Sequence, residues 1–242
     1  VLNLDTVWKM SAPYKIHSYV KDVYSPPKPA VRPSGPLEPG DILLKMNDKS
    51  LLNIGISLVE AATLTGDHAA FSHAGLASSG TMIAEMSKEG LNNHNLSGEN
   101  AGYTYDVFRC QFRQIALAAV EANNALMRAG KVNYTILGAG LSALPSLISS
   151  SNENRLQRAI RNIKAHRFDL FCSEHVVFCY VAALEDNNTL TSVSHQSKNL
   201  TMHDFFDREP GHYSPSYLYG TLINHKFFQY VGRCRGAKWI AS

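Results

Sequence analysis

The chain has 242 residues, 45% of them hydrophobic and 18% charged, with a formal net charge of +3 from 23 basic and 20 acidic side chains. That is long enough for one substantial core, alone or with an extension, and too apolar for a disordered chain. No Lys/Arg-rich run marks a nucleic-acid partner, and the longest apolar stretches, such as VVFCYVAAL at 176–184, are too short for stable membrane insertion.

Residues 1–39 stand apart. Six of the ten prolines fall in SPPKPAVRPSGPLEP, which favours extended backbone and reads as a proline-rich N-terminal extension or a linker to a further domain. Trp8, Tyr14, Tyr19 and Tyr24 are its candidate anchors onto the body or a neighbouring domain. The chain opens on Val1 and shows no secretory signal, which fits a processed product, a piece of something longer, or a protein delivered by a specialised system.

The body, residues 40–242, begins at the Gly40-Asp41 turn feeding a strand, Ile42-Leu43-Leu44. Helical spacing follows at 54–65. FSHAGLA and TMIAEM read as two strands of a hairpin closed by Ser78-Ser79-Gly80, with Gly80 left-handed. Residues 87–103 read as a polar loop, YTYDVFRC as a strand, and 112–130 as an amphipathic helix. Residues 134–150 are ambiguous, and 153–165 suggest a basic helix. The stretch after FDLF, from Cys172 to Leu184, is apolar almost all round, the pattern of a helix buried on most sides. A second polar loop at 185–200, helical pieces at 201–207 and 214–225, and a last strand at FFQYV complete the order. Strands and helices mix without regular alternation, which points to an α+β fold.

The four cysteines, 110, 172, 179 and 234, form no C-x-x-C pair and no zinc spacing, so neither a metal nor another cofactor is implied. Cys172 and Cys179 sit roughly 10 Å apart along one helix, too far to bridge. A cysteine attacks a carbonyl as thiolate, and the first turn of a helix favours that charge through its unpaired N–H groups and dipole. Cys172 has that placement; the other three are the inert core thiols that a buried cysteine ordinarily is.

Among ten histidines, His73 lies within a strand that can aim its ring, flanked by Ser72, Ala74 and Gly75, which leave room for a substrate. His94, His195, His203 and His212 fall in polar segments and read as solvated, and His175 points about 60° away from Cys172 around the helix. Glu85 is a carboxylate in an otherwise apolar strand and needs a polar partner. A three-residue Ser-Ser-Gly loop pairs 77 with 81, 75 with 83 and 73 with 85, which sets Glu85 directly across from His73, Cβ atoms about 4.5–5.5 Å apart. Should Glu85 face away, Asp106 on the next strand is the substitute.

GDILL, FSHAGLASSGTMIAEM, YDVFRC, FCSEHVV and SPSYLYG occur in an order that resembles the permuted NlpC-type papain-like hydrolases, the YaeF/YiiX-like group. The likeness covers about residues 40–232 and implies a permuted papain-like core, a curled antiparallel sheet packed on the helix carrying the cysteine. By position it makes Cys172 the nucleophile, His73 the base and Glu85 the polar third residue. It further implies hydrolysis of a peptide or amide bond through an acyl-enzyme, with a cell-wall stem peptide as first substrate. Delivery into a rival cell and an immunity-protein partner belong to the same expectation. The alternatives are a lipid-directed acyltransferase or esterase of the lecithin:retinol acyltransferase-like branch, which commonly carries a histidine where Glu85 stands, and a non-catalytic binding domain, which has no use for a thiol at a helix start.

Overall fold

The computed structural model describes residues 36–46, 71–87, 89–129, 132–134, 168–189, 200, 202–208 and 210–240. The helices expected at 54–65 and 153–165, the aromatic anchors upstream of residue 36 and most of the ambiguous 134–150 segment lie outside them.

Seven strands form one antiparallel sheet that does not close. In chain order they are β1 (Ile42–Met46), β2 (Phe71–Ala77), β3 (Met82–Ser87), β4 (Gly90–Asn95), β5 (Thr104–Cys110), β8 (Phe228–Arg235) and β9 (Lys238–Ile240); in space they run β4-β3-β2-β1-β5-β8-β9. Two short strands, β6 (Val132–Tyr134) and β7 (Phe168–Leu170), pair in parallel as a separate ribbon. The helices among the described residues are α1 (Arg113–Ala129), α2 (Cys172–Thr189), α3 (Met202–Phe205) and α4 (Pro215–Ile223), with a 3-10 turn at Pro210–His212. The α+β class read from the sequence is therefore present.

Because successive side chains of a strand point to opposite faces, the sheet carries two cores. Ile42, Leu44, Ala74, Leu76 and Phe108 pack under the helices, against Val176, Val177, Tyr180, Leu218 and Tyr219. Leu43, Ala77, Ile83, Tyr105, Val107 and Val231 form the second core on the other face, closed by Leu37 and Leu96. Aromatic side chains carry much of the first: Tyr219 stacks on Phe71 with centroids 4.3 Å apart, and Tyr180 meets Phe228 edge-on at 5.4 Å. Each such burial is worth about 1.5–3 kcal/mol.

The helix starts are chemically legible. Ser214 caps α4 by accepting the Tyr217 N–H, with Pro215 in the first turn where its missing donor costs nothing. Phe171 precedes α2: its C=O accepts the His175 N–H, and Glu174 reaches back to accept the Phe171 N–H at 3.3 Å. Tyr180, farther along α2, donates its hydroxyl to the Gly40 C=O. Gly40, with φ of 93°, lies so close to α1 that a Cβ would come within 2.6 Å of the Ala116 Cβ.

Several expectations need correction. Residues 87–103 contain a strand, β4, which pairs with β3 as far as Ser87↔Gly90, with Gly90 at φ 96°. FFQYV is not the last strand, since β8 turns at Gly236 into β9. Helix α2 runs to Thr189, into the segment read as a polar loop from 185. Residues 36–39, assigned to the extension, are already part of the body: Leu37 is buried, and Arg109 binds Asp41 through Nε and Nη2, Glu38 at 2.7 Å and the Pro36 C=O at 2.8 Å. No helix among the described residues is long and apolar enough to cross a membrane.

Candidate active site

Strands β2 and β3 are paired from Ala77↔Ile83 to Gly75↔Glu85, and no farther along β2. β2 itself continues to Phe71, held on its other side by β1. Ala77 exchanges its backbone bonds with the Gly40-Asp41 turn, so the alternation of an antiparallel strand turns the Ala74 N–H the other way, toward β3. There it donates to the sulfur of Cys172. The gap between two parting strands is thus where the start of α2 enters the sheet.

Cys172 is the first residue of α2 and is only 3% exposed. Its sulfur also accepts the Ser173 N–H, a first-turn donor with no partner four residues back, and touches His73. The segment after α3 holds this turn in place, because the Ser173 hydroxyl donates to the Tyr213 C=O. On the adjoining side Ser216 donates to the Phe71 C=O at 3.3 Å, fixing the start of the histidine strand to α4.

His73 occupies β2 directly across from Lys45, on the face of the second core. Its Nε2 lies 2.9 Å from Oε2 of Glu85, which leaves Nδ1 for the sulfur, and its side chain is 20% exposed. The expected Glu85–His73 register is not the one found. Glu85 stands across from Gly75, two residues along. Ser78 N–H bonds to Met82 C=O, so the three-residue loop is Ser79-Gly80-Thr81 rather than Ser78-Ser79-Gly80, and Gly80 is not among the positive-φ glycines. Moving an odd loop by one residue displaces the pairing by two and preserves the face. Glu85 therefore meets His73 diagonally, past a glycine that has no side chain in the way.

Burial alone would lower the pKa of His73. The charge of the Cys172 thiolate and its hydrogen bond, then the hydrogen bond and charge of Glu85, outweigh that and raise it to about 10. Burial would likewise raise Cys172, and the charge and hydrogen bond of His73, with the Ala74 and Ser173 N–H groups, bring it below the ordinary thiol value. For Glu85, burial works upward, while His73, Asn100 and His94 together hold it below the usual carboxylate range. The site therefore favours a thiolate–imidazolium pair braced by a carboxylate. The remaining thiols are of the opposite kind: burial raises Cys110 and Cys234 to about 12 and Cys179 higher still.

Two members of the site were not found from the sequence. His94, read as a solvated loop residue, is on β4, its Nδ1 3.6 Å from Glu85 Oε1. Asn100 is 3% exposed and donates Nδ2–H to the same oxygen. Asp106, the substitute carboxylate, belongs elsewhere: it holds Arg233 through two bonds of 2.6 and 2.9 Å and accepts the Tyr230 hydroxyl. His175 faces α1, its Nε2 3.0 Å from Asn123 Oδ1, and burial followed by the nearby His73 charge lowers it to about 3, so it stays neutral. His203 lies exposed on α3 and His212 ends the 3-10 turn, while His195 falls outside the described residues.

Among the described residues, no group of three or more His, Cys, Asp or Glu side chains is placed to hold a metal ion. Comparison of the chain with protein-family models, curated proteins and solved structures finds no match.

Proposed function

We propose that the chain is a cysteine hydrolase that cleaves a peptide or amide bond through an acyl-enzyme, built on a permuted papain-like core. The observation that supports this most is the run of contacts Cys172–His73–Glu85, with the cysteine on the first turn of a buried helix and the histidine 2.9 Å from a buried carboxylate. A core cysteine needs neither a histidine nor two backbone N–H groups at its sulfur.

The thiolate of Cys172 attacks the carbonyl carbon; a C–S bond forms and the carbonyl electron pair moves to oxygen. Donors of the α2 first turn are the nearest stabilisers of that oxyanion. His73, as imidazolium, gives its proton to the leaving nitrogen as the C–N bond breaks, leaving a thioester and a neutral ring. Water then loses a proton to His73 while attacking the thioester, and collapse returns the thiolate and releases the acid. Glu85 keeps the ring oriented and stabilises its charged form throughout.

The substrate we infer first is a cell-wall stem peptide, with action as a delivered antibacterial effector, opposed by an immunity protein, as the setting. The test is incubation with purified muropeptides, phospholipid vesicles and a generic protein, products read by mass spectrometry. Released peptide fragments, lost in Cys172→Ala, support the proposal. Acylation of Cys172 by phospholipid alone replaces it with lipid acyl transfer.

A further inference from the structure

The turn after β4 has no catalytic group of its own, yet it is built around one side chain. The Asn100 N–H donates to the Asn95 C=O and its own C=O accepts the Tyr103 N–H, both at 3.1 Å, which fixes its backbone inside the turn. The β8–β9 turn presses on it from outside. Gly236 donates its N–H to the Tyr103 C=O at 2.8 Å, and a Cβ there would come within 2.4 Å of the Leu96 oxygen and 2.9 Å of the Ala101 Cα. At φ 55° this is a position for glycine on two counts.

All of that places one amide against Glu85. A carboxylate only accepts, so Nδ2 is the Asn100 atom that faces it. Asn100 occupies Oε1, with His94 beside the same oxygen at 3.6 Å, and Oε2 is left for His73 at 2.9 Å. A glutamate side chain tethered at one oxygen swings about several torsions; tethered at both it presents a fixed acceptor.

We propose that Asn100 is a positioning residue, which holds Glu85 so that Oε2 meets His73 and thereby sets how firmly His73 supports the Cys172 thiolate. This rests on Cys172 and His73 acting as nucleophile and base, and it acts through Glu85 rather than by touching substrate. The chain of support runs from Gly236 through the 96–103 turn to Asn100, Glu85, His73 and the sulfur.

The experiment is the pH profile of Cys172 alkylation by iodoacetamide in the whole chain, which needs no substrate. Asn100→Leu keeps the branching of the side chain, in a larger volume, and removes the donor. Its alkylation midpoint should move up by about one pH unit, Glu85→Gln should move it in the same direction, and the double variant should move it no farther than Glu85→Gln alone. A residue with only a structural role lowers the melting temperature and leaves the midpoint where it was; that result, or an additive double variant, overturns the proposal. If Asn100→Leu does not fold, Asn100→Ser carries the same comparison. Wild-type Cys172 that labels no faster than the other cysteines refutes the nucleophile assignment itself, a different outcome from an unmoved midpoint.

Discussion

His73 Nε2 and Glu85 Oε2 are 2.9 Å apart although the two residues are not across from one another in the sheet. Glu85 is in register with Gly75, and the contact is diagonal. Such neighbours lie about 7–8 Å apart at the backbone, within reach only of long side chains. A glutamate and an imidazole bridge that distance where an aspartate would fall short, which gives the site a reason for Glu at 85.

Glu85→Gln keeps the shape and removes the charge. A hydrogen bond to a charged group is worth about 1.5–3 kcal/mol, so turnover should fall roughly ten- to hundred-fold, less than the loss in Cys172→Ala. The sign with pH follows from a folded value held below the ordinary 4.5. The stability that this carboxylate adds is present above that value and is lost as pH falls through the folded one. The melting-temperature gap between wild type and Glu85→Gln should therefore be full near neutrality and close in acid.

Gly75→Ala tests the open diagonal. A Cβ at this position would lie 2.5 Å from Ile83 Cδ1, 2.7 Å from Cγ1 and 3.0 Å from the Ala84 oxygen. Ile83 can rotate but the backbone oxygen cannot, so overpacking should cost about 1–3 kcal/mol. Denaturant unfolding measures that loss, and the support His73 gives the Cys172 thiolate should weaken with it, seen as slower labelling of Cys172.

Asp106→Asn separates a carboxylate that holds Arg233 from the one that meets His73. Asp106 is fully buried and holds Arg233 by two bonds, so removing its charge strands the guanidinium. Stability should drop by about 3 kcal/mol in denaturant unfolding, with the pH midpoint of Cys172 alkylation unchanged.

The parts of this arrangement that could be read from the chain are those with a strong local signal. FSHAGLA and MIAEM are short runs on either side of a Ser/Gly turn, 113–129 has one apolar face, and the apolar stretch from Cys172 leaves little choice but a buried helix. Ser78, Ser79, Gly80 and Thr81 all suit a turn, so nothing local distinguishes a loop at 78–80 from one at 79–81; the face of Glu85 was legible and its partner position was not. β4 was hidden by its composition, since Gly90-Leu91-Asn92-Asn93-His94-Asn95 has almost no β propensity and is held by pairing with β3. With it went His94 and the buried Asn100, whose only sequence trace is the two positive-φ glycines, Gly90 and Gly236.

The central relationship is the one between sulfur and imidazole, and site-resolved alkylation of wild type and His73→Ala measures it most directly. Cys172 lies below the ordinary thiol value and His73 is raised to about 10, so the charged pair is populated between the two. Wild-type Cys172 should react with iodoacetamide near about pH 7, ahead of Cys110, Cys179 and Cys234, which burial keeps protonated. In His73→Ala the burial penalty on the thiolate loses its main opposition, so labelling of Cys172 should be slow at neutrality and recover only well into the alkaline range. The same profile in both proteins, or wild-type Cys172 no faster than the other three, would contradict the pairing and the hydrolase built on it.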